Sequence, residues 1–292
     1  MKTPENLRRK AALALVGTMA VAALCLAAGR ADAGSPSTYP DVEGMVDLTV
    51  REEVLAHQWV VRDEDLPKGL CSVEEAGITP GMHRLLRFTV MTPNVGDADL
   101  VLGDPNVHVA ANDGFYEYAT CHRHFHLRNH TLYELVDAES GRVWRAAKAP
   151  FCIIDSDPNP GALEQPRRPA QFRSCGGVGV PGNQGLSHGW ADTYRFYLGG
   201  QYIVLDGADG QEPVPAGDYL LRVTVNPSFD RAPGEPCPIT RPQEPMLCRM
   251  IEESDYSNNM AEVAITIPDH PGKHGVGPMA GAAIPYDDGD RR

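Results

Sequence analysis

Apolar and β-branched residues fall in short runs along this chain, cut by Gly, Pro, Asn and Asp. The runs are Met45–Val50, Gln58–Arg62, Leu85–Met91, Leu100–Leu102, Val107–Ala110 and Tyr116–Leu127. They continue with Thr131–Val136, Arg142–Ala147, Phe151–Ile154, Tyr194–Leu198, Tyr202–Leu205, Tyr219–Val225 and Ala261–Ile267. Alternation with turn residues between runs predicts strands, and no segment sustains a helical period or an internal repeat. Ser72 and Glu75 have capping-box spacing, which predicts a short helical turn over Ser72–Ala76. Two stretches, Asp155–Gly189 and Pro227–Glu252, fit no period and are rich in Pro, Gly and Arg. Loops this long in a compact domain are functional or disulfide-tied more often than idle. The pattern therefore predicts a mainly β fold: a single β-sandwich domain with long irregular loops and few short helices.

The two ends read differently from the middle. Arg8-Arg9-Lys10 precedes an apolar run from Ala11 to Ala28 and the small-residue site Ala31-Asp32-Ala33, which predicts a signal peptide over 1–33. The domain then spans 34–267, and the Gly-, Pro- and Asp-rich tail 268–292 is expected to be disordered. Cleavage after Ala33 would leave a soluble exported protein, extracellular, periplasmic or at the cell surface, with no membrane anchor. The 292-residue chain carries a formal charge of −13, so it lacks the basic surface that nucleic acid demands. Of its 7 cysteines one lies in the signal segment. The rest form an even set in an oxidising compartment, enough for three bridges. The mature basic residues are nearly all Arg; the lysines are Lys68, Lys148 and Lys273.

The sharpest chemical feature is Cys121-His122-Arg123-His124-Phe125-His126. In a strand, residues two apart share a face, so His122, His124 and His126 would align on one side. Three imidazoles on one face suit copper or zinc and leave coordination positions open. The residue types alone do not choose between those metals.

This motif, followed by Tyr133-Glu134-Leu135-Val136-Asp137-Ala138, resembles the copper motif of the lysyl oxidases. The resemblance continues through Lys148-Ala149-Pro150-Phe151-Cys152, Gln184-Gly185-Leu186-Ser187 and Asp192-Thr193-Tyr194. Further blocks are Pro215–Tyr219, Val225–Ser228 and Glu253–Asn259, so it covers most of the chain from Cys71 to Ile267. It implies Cu²⁺ on His122, His124 and His126. It also implies a lysine tyrosylquinone made by crosslinking Lys148 to Tyr194. A neutral lysine amine can add to an oxidised tyrosine ring, whereas a guanidinium stays protonated and cannot. The implied reaction is oxidation of a primary amine by O₂ to an aldehyde, with release of NH₃ and H₂O₂. Its substrates would be small amines or lysine side chains of proteins. Asp192, two residues before Tyr194, is the candidate base. The acidic surface would draw cationic amines.

The resemblance further implies a Ca²⁺ site from Asp47, Leu48, Glu253, Asp255, Asn258 and Asn259, which supply oxygen ligands at short spacing. The same block is also compatible with a polar hairpin turn before the last strand. For the bridges, the resemblance supports Cys121–Cys175, and Cys237–Cys248 would close the Pro-rich insertion. Cys71–Cys152 then remains. Departures from the animal enzymes are Trp190 and Gly200 where a disulfide flanks the quinone tyrosine, Ala119 in place of a histidine, and the insertion Ser228–Glu252. The reading that emerges is an exported copper- and quinone-dependent amine oxidase. Two alternatives use the same strand: a non-catalytic metal-binding β-sandwich, and a different metal-dependent enzyme.

Overall fold

The computed structural model describes residues 44–146, 150–160, 169–231, 234, 236–241 and 244–285. The signal segment 1–33, Lys148 and residues 286–292 lie outside the described residues. In chain order the first elements are α1 (Glu52–His57), β1 (Trp59–Leu66), α2 (Cys71–Ala76), β2 (Gly81–Phe88), β3 (Val90–Pro93), β4 (Leu100–Gly103) and α3 (Pro105–Ala111). The histidine region follows as β5 (Tyr116–Ala119), β6 (His124–Leu127), β7 (Thr131–Val136) and β8 (Val143–Arg145). Then come β9 (Asp157–Pro158), β10 (Gln184–Leu186), β11 (Trp190–Tyr194), β12 (Tyr202–Val204) and β13 (Gly217–Val225). The chain closes with β14 (Phe229–Asp230), β15 (Ile239–Arg241), β16 (Glu244–Arg249) and β17 (Met260–Ile267).

The mainly β expectation holds, in the form of small sheets around a shared core. The largest has the order β17-β13-β7-β8, and others run β1-β2-β12 and β3-β11-β9. Along β13 and β17 the predicted alternation is realised. Tyr219, Leu221, Val223 and Val225 point inward beside Ala261, Val263, Ile265 and Ile267. They meet Leu86, Phe88, Leu127, Phe151 and Ile203 in one apolar cluster. A second cluster, including Leu66, Leu70, Val73 and Tyr202, lies against α2.

Several local expectations change. Val107–Ala110 is helical rather than extended, because Asp104 caps α3 through Asn106 N at 3.1 Å and Pro105 opens it. Val107 and Val109 stay exposed on that helix. The run Tyr116–Leu127 is not one strand but the antiparallel pair β5–β6. Tyr194 ends β11 rather than starting a strand. The helix α2 forms, yet its N-cap is Leu70, so Ser72 and Glu75 make no capping box.

The tail 268–285 is ordered against β1, contrary to expectation. β1 is an edge strand, and its outer backbone groups are taken by the tail. Val61 and Val276 exchange bonds of 2.9 and 2.8 Å, and Met279 N reaches Trp59 O at 3.1 Å. Gly277 has φ +127, and a Cβ there would stand 2.7 Å from the Trp59 ring.

Two disulfides also differ from expectation. The bridges are Cys71–Cys121, Cys152–Cys175 and Cys237–Cys248. Cys121 sits in a turn over the start of α2, 5.3 Å between Cα atoms from Cys71, which leaves Cys152 to join the loop at Cys175.

Arg87, 1% exposed, ties β2 to the turn that follows Tyr194. It forks onto Glu64 at 2.7 and 2.9 Å and donates to Phe196 O and Leu198 O at 3.0 and 3.1 Å. Removing the cation leaves a buried carboxylate and two carbonyls without it. Arg87→Met is therefore expected to lower unfolding free energy by about 3–5 kcal/mol in urea titration. A loss under about 1 kcal/mol would show that the turn is held by other contacts.

Candidate functional site

The histidines come together by a different geometry from the one expected. His124 and His126 lie on β6, but His122 lies in the turn before it. Arg123 has φ +59, a left-handed residue that breaks the strand and turns His122 back over it. Arg123 N closes the turn on Ala119 O at 2.7 Å. The rings still converge: the centroids of His122 stand 5.6 and 5.8 Å from those of His124 and His126, which are 4.6 Å from each other.

The nitrogens fit a metal. His122 Nδ1 bonds Glu75 Oε2 at 2.6 Å, and His124 Nδ1 bonds His122 O at 3.1 Å, so coordination falls to Nε2 of these rings. The Nε2 atoms of His124 and His126 are 2.8 Å apart. Two nitrogens each ~2.0 Å from one ion at a right angle are ~2.8 Å apart. Among the described residues no three acidic, Cys or His side chains already close around a point.

His122 and His126 border a cavity of about 370 Å³ lined also by Glu75, Glu117, Tyr118, Pro150 and Gly200. Glu117 faces His126 across the β5–β6 ladder, which explains its presence there. Partial burial, with the nearby Glu75 charge adding to it and Arg128 opposing, pushes the Glu117 carboxyl up. The wall thus carries two carboxyl groups, Glu75 and Glu117, beside the Tyr118 ring.

Tyr194 joins this region through the backbone. Leu127, next to His126, exchanges hydrogen bonds of 2.6 and 3.1 Å with Phe151. The adjacent Cys152 accepts from the Tyr194 hydroxyl at 2.8 Å and donates to it at 3.0 Å. The Phe151 ring packs edge-on against Tyr194 at 4.6 Å. Burial raises the Tyr194 phenol well above its ordinary value, and the charge of Asp192 adds to the rise. Asp192 is 3% exposed and two residues away on β11, so the two side chains share a face. Lys148 lies outside the described residues, but the chain re-enters them at Pro150 on the cavity wall.

Gln184 holds the histidine strand from the other side. Its amide donates to Phe125 O at 2.8 Å and Cys175 O at 2.9 Å, and accepts from Ile153 N at 3.1 Å. No periodicity identified Gln184, Glu75 or Glu117, because their roles depend on partners far away in the chain. His130 was also missed. It is 1% exposed, packs 6.1 Å from the Phe151 ring, and neither ring nitrogen has a partner among the described residues.

The acidic block assembles at a separate place. Glu253 accepts from Leu48 N at 2.5 Å and from the Asn226 and Asn259 amides at 2.6 and 2.9 Å. Asn258 donates to Asp47 at 2.9 Å. Asp255 instead binds its own turn at Ser257. Burial outweighs these donors and pushes Glu253 up to about 7. The Oδ1 atoms of Asn258 and Asn259 are buried and have no hydrogen-bond partner among the described residues.

The family model of lysyl oxidase matches residues 61–234. Lysyl oxidase homolog 2 of Homo sapiens is 27% identical over 226 residues, covering 73% of this chain and 23% of the relative. Lysyl oxidase homolog 4 of Bos taurus is 28% identical over 242 residues, covering 80% of this chain and 26% of the relative. The chain thus matches about a quarter of the length of these relatives.

His130 makes stability depend on pH. Burial lowers its pKa to about 3 from the ordinary 6.5, so below 6.5 the unfolded chain binds a proton that the folded chain refuses. Stability is lost as pH falls through that window, at up to about 1.4 kcal/mol per pH unit from this group. His130→Leu is expected to flatten the denaturation midpoint against pH between 6 and 4. An unchanged slope would mean that His130 finds a proton acceptor when charged.

Proposed function

The chain belongs to the lysyl oxidase family, and on that premise we propose that it is an exported copper- and quinone-dependent amine oxidase. It oxidises primary amines, either small amines or lysine side chains of proteins, to aldehydes with O₂ as acceptor. The observation that carries the reading is the seam between Leu127 and Phe151, which brings the histidine cavity and the Tyr194 hydroxyl onto neighbouring residues.

His122, His124 and His126 would hold the copper, and Lys148 with Tyr194 would form the lysine tyrosylquinone. Once in place, copper and quinone supply the redox chemistry: an electrophilic ring for the amine and a route for its electrons to O₂. The chain's own residues do the rest. Glu117 and Tyr118 give the cavity an anionic and aromatic wall suited to an alkylammonium group. The Cys152 backbone fixes the Tyr194 hydroxyl by two hydrogen bonds, and Phe151 limits tilting of the ring. Asp192, buried and electrostatically coupled to the phenol, is the base that would take the α-proton of the bound amine. Three disulfides suit an oxidising compartment and so support export.

A Ca²⁺ ion would complete the second site, on Asp47, Leu48, Glu253, Asn258 and Asn259, with its role structural. The Asn oxygens without a partner among the described residues, and the buried Glu253 carboxyl with its raised pKa, support it.

Purified protein grown with copper is expected to show quinone absorbance, react with a hydrazine, and yield a Lys148–Tyr194 crosslinked peptide by mass spectrometry. Lys148→Ala and Tyr194→Phe should bind copper stoichiometrically yet release no H₂O₂ above the copper-free background. A colourless, copper-replete wild type without the crosslink would instead favour a structural metal-binding module.

Calcium in millimolar amounts is expected to raise the melting temperature of EDTA-treated protein by several degrees. Asp47→Ala should abolish that shift; an equal shift in the variant would place the ion elsewhere.

A further inference from the structure

His122 is the one ligand candidate that the β6 ladder does not orient. It precedes the strand, and the left-handed Arg123 separates it from the backbone register that aims His124 and His126. Its direction must come from elsewhere. The helix α2 supplies it. Cys71, the first residue of α2, is bonded to Cys121, and Glu75 lies one helical turn further on the same face. The Glu75 carboxylate accepts from Cys121 N at 2.9 Å and His122 N at 3.4 Å through one oxygen. Its other oxygen meets His122 Nδ1 at 2.6 Å.

We propose that Glu75, tethered by the Cys71–Cys121 bridge, is the positioning residue that sets the tautomer and aim of His122 for copper. The inference rests on the reading of the three histidines as copper ligands. A carboxylate that already accepts two backbone N–H groups can only accept from Nδ1, so Nδ1 keeps its proton and donates it in a hydrogen bond, which leaves the ring lone pair on Nε2. An outer carboxylate of this kind holds ring orientation and raises ligand basicity, and its loss weakens metal binding roughly 10–100-fold. The disulfide makes the arrangement a property of the oxidised chain. Without it, nothing covalent keeps a six-residue helix against the turn.

The test uses the full mature chain. In metal-free protein with ¹⁵N-labelled histidine, His122 is expected as the Nδ1–H tautomer, and Glu75→Ala is expected to shift it toward Nε2–H. A role confined to general stability would leave the tautomer unmoved. Cu²⁺ affinity, measured by competition with a chelator, should fall roughly 10–100-fold in Glu75→Ala. It should fall less in Glu75→Gln, which keeps one acceptor oxygen. Glu74→Ala on the same helix should match wild type. In a His122→Ala background, Glu75→Ala should cause no further loss, because the pair acts as a unit. Wild-type tautomer and affinity in Glu75→Ala would overturn the proposal, as would an equal loss in Glu74→Ala. A wild-type chain that binds no copper at all overturns the metal reading itself, and this proposal with it.

Discussion

The exchange of backbone hydrogen bonds between Leu127 and Phe151 is the constraint on which the site depends. It is an isolated bridge rather than part of a longer ladder, yet it joins the end of β6 to the segment around Phe151. On one side lies β6 with His124 and His126. On the other lies the segment from Pro150 to Cys152, whose backbone captures the Tyr194 hydroxyl. Both residues of the bridge are fully buried, so neither backbone pair can turn to water for a partner. Breaking it would leave buried amide and carbonyl groups unsatisfied, which is why a two-residue contact can hold the cavity and the tyrosine together.

Around that seam, buried side chains take over the work that longer ladders do in larger sheets. Gln184 bonds three different segments, Asp155 accepts from Gln171, Phe172 and Ser187, and Asn226 spans to Met250, Ile251 and Glu253. Each ties irregular loop segments to one another or to a strand. A fold of small sheets and long loops exposes many backbone groups internally, and these polar connectors satisfy them. The connectors also make the loops near the cavity specific in position. The same role falls to Arg87, which reaches the carbonyls just beyond Tyr194.

The electrostatic layout matches the seam. The cavity wall is acidic at Glu75 and Glu117, whereas the Tyr194 side is dry and holds its phenol protonated. His130, neutral in the core beside Phe151, extends the dry side.

Much of this protein is legible in its sequence alone. Alternation marked β13 and β17, since each has one buried face and one more exposed face, and period two follows from that. The spacing of His122, His124 and His126, with the blocks at Lys148 and Tyr194, carried the resemblance to the lysyl oxidases, and the family model matching residues 61–234 bears that family out. What the tertiary structure alone decided were relations between distant residues. The left-handed turn at Arg123 took His122 out of the strand, and Cys71 rather than Cys175 met Cys121. Glu75 went to a histidine instead of a helix cap, and the tail found the open edge of β1. In each case local propensity left several partners almost equal in energy, and burial and chain closure in the folded domain selected one.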